Sequence, residues 1–189
     1  MRISKKLNLV IPVTTEAHGQ IYVHTAPISR DIFEQFYSQL GNVFSQCFDG
    51  IGKAHLALSA PQLAYPALKR MATEANNWDG PAGVKQGLIN EIVRLTNVQI
   101  CGENGWDNLP LDTIIKRQML DEDEESEVLS ALVFFMSISL VAPKEMKVAF
   151  LEMAGSLRNW QLTPLDSTAY IAGLRISTKV ETTQTTANP

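Results

Sequence analysis

The stretch LNLVIPVTTEAHGQIYVHTA, residues 7–26, decides how the chain begins. Leu7, Leu9, Ile11 and Val13 recur at every second position, and Ile21 and Val23 do so further on, which is the period of a half-buried strand. Between them, His18-Gly19 supplies a turn, because Gly tolerates the positive φ that hairpin loops often need. The pattern predicts a β-hairpin of residues 7–13 and 20–26. Ser29 follows as a helix cap, with Asp31 in the first turn, where the helix dipole favours negative charge.

Helical spacing dominates beyond this point. Over residues 31–48, Ile32, Phe33, Phe36, Tyr37, Leu40, Val43, Phe44 and Phe48 fall three and four apart on one face, and Gly50 and Gly52 mark the end. A second helix is expected over residues 61–75 through Leu63, Leu68, Met71 and Ala75, kinked at Pro66 or starting just before it. Residues 76–83 read as a loop. Leu88, Ile89, Ile92, Val93 and Leu95 predict a third helix over 87–99, followed by a loop over 101–108. Pro110 suits the first turn of a short helix running to Gln118. Asp121 or Asp123 opens the strongest helix, with Val128, Leu129, Leu132, Val133, Phe135 and Met136 following; Val133, Phe134, Phe135, Met136, Ile138 and Leu140 leave little polar face, so it should be central. Pro143 breaks it before another helix over 144–160, and a short helix is expected over 164–174. From Ser177 the chain is almost devoid of apolar residues and should not repay its ordering entropy. The expected fold is therefore mainly α: an N-terminal two-stranded hairpin (residues 1–28), a compact multi-helix bundle (29–176) and a disordered tail (177–189).

Composition narrows the function classes. The chain has 189 residues, 45% of them hydrophobic and 19% charged, which is ordinary for a soluble globular domain. Of its 20 acids, six (Asp121, Glu122, Asp123, Glu124, Glu125 and Glu127) fall in one short window, leaving 14 against 16 bases elsewhere. No basic stripe of the kind nucleic-acid binding needs is present. The apolar run at 128–142 is interrupted by serines and is shorter than the roughly 20 residues of a spanning helix. The N-terminus lacks the continuous apolar core of a secretory signal. Cys47 and Cys101 carry no partner motif and read as small apolar side chains in a reducing cytoplasm.

The search for chemistry finds little. His18, His24 and His55 have no metal-ligand spacing around them and read as incidental. Cys47 could pair with a distant His as a nucleophile, but its aromatic helical face should raise its pKa and quiet it. Glycines at 50 and 52, or 80 and 83, lack the Gly-Lys-Ser/Thr ending of a phosphate loop. The acidic window lacks the spaced pattern of a calcium loop and reads as a solvated helix start. No catalytic residue, metal or cofactor is expected, and the chain reads as a non-enzyme.

The order of strand, glycine turn, second strand and helix, with Pro12-Val13 in the first strand, resembles the opening of the small tail assembly chaperones of long-tailed (siphovirus-type) bacteriophages. The resemblance covers about the first quarter of the chain; this chain is longer than the compact members, with added helices beyond Asn108. It implies a helical body, residence in the host cell cytoplasm, and binding of the tape measure protein, kept soluble until the tail tube polymerises. The tail tube protein is the second candidate partner. No nucleic acid and no membrane partner are implied. The hairpin, marginal by itself, should pack on the helices or pair with another copy in a homo-oligomer. Client binding is expected at Phe33, Phe36 and Tyr37, on the first helix. The alternative from another class is a structural virion protein of the tail or neck.

Overall fold

The computed structural model describes residues 7–48, 54–102, 105–142, 147, 149, 151–152 and 159–174. The tail at 177–189, the glycines at 50 and 52, and most of the helix expected over 144–160 lie outside them; of that helix, Lys147, Ala149, Leu151 and Glu152 are helical. The expected hairpin is present as β1 (Asn8–Thr15) and β2 (Gly19–Thr25), paired antiparallel with Ile11 opposite Val23 and Val13 opposite Ile21. Gly19, at φ 67°, supplies the left-handed residue of the turn. The Thr15 hydroxyl accepts from His18 N and donates to Gly19 O, which closes the loop from within.

The hairpin is not the whole of the sheet, and the mainly α expectation is overturned. Among the described residues, five antiparallel strands run in the order β4-β3-β2-β1-β5, with β3 (Thr96–Gly102), β4 (Gly105–Pro110) and β5 (Gln161–Thr163). The molecule is thus a mixed α and β fold with β1 and β2 at the middle of its sheet.

Two expected elements change type in consequence. The helix expected over 87–99 stops at Arg94: a π-helical turn, Lys85–Ile89, runs into α4 (Asn90–Arg94), and Thr96 already belongs to β3. Thr96 is fully buried; its hydroxyl donates to Ile92 O at 2.7 Å and lies in hydrogen-bond contact with Thr25 Oγ1 at 2.9 Å, so helix end, β3 and β2 are tied at one point. The loop expected over 101–108 is instead the β3–β4 hairpin, with Cys101 opposite Trp106 and Gln99 opposite Asn108.

Besides the helical Lys147, Ala149, Leu151 and Glu152, the helices among the described residues are α1 (Arg30–Gln35), α2 (Tyr37–Phe48), α3 (Ala54–Glu74), α4, α5 (Leu111–Lys116), α6 (Glu122–Val141) and α7 (Ser167–Gly173). α3 begins before the expected Pro61 and carries both Pro61 and Pro66 in its interior, where each removes one i→i−4 bond; His55, read as a loop residue, lies in its first turn. α6 starts at Asp121, whose carboxylate accepts from Glu124 N at 2.7 Å while the Glu124 carboxylate accepts from Asp121 N at 3.0 Å, a capping box. Residues 128–139 of α6 are buried on every side, packed by α2, α3 and β1. Leu9, Ile11, Val13, Ile21, Val23, Val98 and Ile100 supply the sheet's share of this core. No helix among the described residues is long and apolar enough to cross a membrane.

Candidate interaction surface

Ser29 sets the geometry of the corner where the first client-binding candidates lie. Its hydroxyl accepts from Ile32 N at 3.4 Å and its carbonyl from Phe33 N at 3.0 Å, which fixes the first turn of α1. α1 lasts only six residues. Phe36, at φ −112° and ψ 21°, leaves helical geometry; its N–H still reaches Ile32 O and Phe33 O, while its own carbonyl accepts from Leu40 N and starts α2. The chain therefore bends at Phe36.

This bend separates the three expected site residues. Phe36 is 1% exposed and belongs to the core. Its ring lies over Gly87 of the π-helical turn, so closely that a Cβ there would meet Phe36 Cζ at 2.5 Å. Tyr37 points outward at 57% exposure, and Phe33 is half-buried beside it. The Phe33 and Tyr37 rings meet edge to face, with centroids 5.6 Å apart and planes at 87°. α1 buries no residue. Phe33 and Tyr37 are brought together as an accessible aromatic pair, and Phe36 is withdrawn from it.

A second cluster, which the sequence reading missed, lies on the sheet face away from the main core. Tyr22 and His24 of β2, Gln99 of β3, and Trp106 and Asn108 of β4 share this face through the strand register. α7 crosses it. Tyr170 approaches Tyr22 at 6.1 Å and His24 at 6.0 Å, and its hydroxyl bonds Gln161 Oε1. Asn108 Nδ2 donates to Ser167 Oγ, and Asn8 Nδ2 and His24 Nε2 both bond Leu165 O. A helix that buries nothing is thus held by polar bonds. His24, read as incidental, is 3% exposed; desolvation holds its pKa below the usual value, against the opposing pull of the Leu165 carbonyl and Asp166. Gln99 is fully buried, with its Oε1 lacking a partner. The alternation Tyr22-x-His24 on a strand was the one available signal; Leu165, whose carbonyl meets His24, lies 141 positions further on.

The remaining chemical candidates stay apart. His18 sits in the β1–β2 turn, and Cys47 is buried, which pushes its thiol up to about 12. Cys47 and Cys101 are not bridged. Among the described residues, no group of three or more His, Cys, Asp or Glu side chains is placed to hold a metal ion. No family model, curated protein or solved structure matches this chain.

Proposed function

We propose that this protein acts by binding, as a tail assembly chaperone of a long-tailed bacteriophage whose client is the tape measure protein. The observation that carries the reading is the Phe33–Tyr37 pair: an exposed tyrosine at the start of α2, braced edge to face by a half-buried phenylalanine of the short helix α1. Rigid aromatic anchors of this kind dominate the energetics of many interfaces, and an apolar helical client laid into a groove would meet them without any covalent step. The strand–turn–strand–helix order of the first 37 residues supports the same reading. The all-helical body that the resemblance implies is absent: the described residues form a five-stranded sheet together with the helices.

On this reading the client is held in the host cytoplasm and released as tail tube subunits polymerise, and Phe36 acts only by supporting the corner. Coexpression tests it. The tape measure protein of the same genome, expressed alone, should be insoluble, and this chain should raise its soluble fraction. The double substitution Phe33→Glu, Tyr37→Glu should abolish that rescue with an unchanged circular dichroism spectrum. Failure of the native chain to bind or solubilise the client, together with its presence at fixed copy number in mature particles, would replace the proposal with the virion-component reading.

A further inference from the structure

Past Pro164 the chain is fastened to the sheet mainly by polar bonds. β5 packs Leu162 against the core, whereas Leu165 is 45% exposed and α7 buries no residue. Among the described residues, Asn8 Nδ2 and His24 Nε2 both bond Leu165 O, at 2.7 and 3.0 Å, and Leu165 N donates to Thr163 Oγ1. Asn108 Nδ2 reaches Ser167 Oγ at 3.2 Å, and the Tyr170 ring lies against Tyr22 and His24.

One of the two groups that meet at the Leu165 carbonyl can take a proton. A carbonyl only accepts, so the neutral His24 ring donates its Nε2–H there and keeps its lone pair on Nδ1. His24 is 3% exposed, and a second proton would leave a cation beyond the reach of water. The titratable groups around it, among the described residues, are Asp166 at the start of α7, Tyr170, and Tyr22 on its own strand. Val10 of β1 and Asn97 of β3, opposite it in the register, carry no charge. The Leu165 carbonyl and Asp166 favour the cation, but burial outweighs them and holds the pKa below its ordinary value of 6.5. Gln99 on the same face adds to the cost of closure, because its buried Oε1 has no hydrogen-bond partner.

We propose that residues 165–174 form a hinged strap, closed over the Tyr22–His24–Gln99 face while His24 is neutral and lifted from it, with the core intact, when His24 is protonated. The hinge is Pro164, between the anchored β5 and α7. With seven residues, α7 is too short to be a stable helix by itself, so the lifted strap unwinds. Lifting gives the His24 cation and the Gln99 acceptor to water and bares the Tyr22–Trp106 pair. If the closed face takes no proton and the lifted His24 titrates at 6.5, opening rises at most about tenfold between pH 7.5 and pH 5.5. The Phe33–Tyr37 corner takes no part in this, so either proposal can fail without the other.

Amide hydrogen exchange in the full-length ¹⁵N-labelled protein tests the strap, read as protection relative to an unstructured chain at the same pH. The Ala169 and Tyr170 amides, bonded to Asp166 in the closed form, should be at least about tenfold less protected than Leu132 in α6, because the strap opens without the fold. Their protection should fall about three- to tenfold from pH 7.5 to pH 5.5 in the native chain and stay level in His24→Gln, which keeps a donor but takes no proton. In the native chain the carbon-bound ring protons of His24 should titrate with a midpoint below 6.5. Strap protection equal to that of Leu132, no loss on acidification, the same loss in His24→Gln, or a His24 midpoint at or above 6.5 would overturn the proposal.

Discussion

Gly87 and Phe36 are fitted to each other: a Cβ on Gly87 would stand 2.5 Å from Phe36 Cζ and 2.9 Å from Cε2, inside any real contact distance. The π-helical turn that carries Gly87 thereby makes room for the ring on which the α1–α2 corner bends. Gly87→Ala should destabilise by about 1–3 kcal/mol through overpacking, which outweighs the roughly 0.5–1 kcal/mol that alanine gains over glycine in a helix. Gly41 in α2, with nothing near its Cβ position, gives the opposite sign: Gly41→Ala should stabilise by about 0.5–1 kcal/mol. Urea unfolding of both variants checks the pair.

Leu132 is fully buried at the middle of α6, in the stretch packed on every side. Leu132→Ala should cost about 2–5 kcal/mol, the range for a buried leucine whose cavity cannot collapse. A loss below about half a kcal/mol on urea unfolding would remove α6 from the centre of the fold.

His24 makes stability depend on pH. Its folded pKa lies below the unfolded value of 6.5 because burial disfavours the cation. Between the two values the unfolded chain binds more protons, so stability is full above pH 6.5 and falls as the pH drops from there towards the folded pKa. The loss in unfolding free energy between pH 7 and pH 5 should shrink in His24→Gln, as read by denaturant titration at the two pH values.

Asp121 and Glu124 cap α6 reciprocally. Asp121→Ala should cost about 0.5–2 kcal/mol, and Glu124→Ala less. A double-mutant cycle by thermal or urea unfolding should return a coupling energy, since each side chain satisfies the other's backbone N–H.

Local signals carried the parts of this fold that depend on neighbours in sequence. The β1–β2 alternation, the Ser29 cap and the acidic start of α6 were all legible, because turn, cap and dipole act within a few residues. Residues 96–99 were not. Ile92, Val93, Leu95 and Val98 satisfy a helical period, while Thr96, Val98 and Ile100 satisfy a strand period, and the choice is made by Thr25 on a distant strand. β4 carries polar Asp107 and Asn108 between Gly105 and Pro110 and reads as a loop unless β3 is already known. β5, at three residues, is too short to show any period. The site was legible to the same degree. Phe33, Phe36 and Tyr37 share one helical face, and the placement of Gly87, fifty-one positions beyond Phe36, draws one of them into the core.

Tyr37 is the client contact on which the proposed function rests, and a photo-crosslinking amino acid at that position tests it most directly. Installed at Tyr37 in full-length protein coexpressed with the tape measure protein, it should give a crosslinked product of the two chains on irradiation. The same group at the exposed Lys69 of α3 should give little. Equal yields from the two positions, or no product from Tyr37 in a soluble and folded chain, would contradict the assignment of this corner as the client surface.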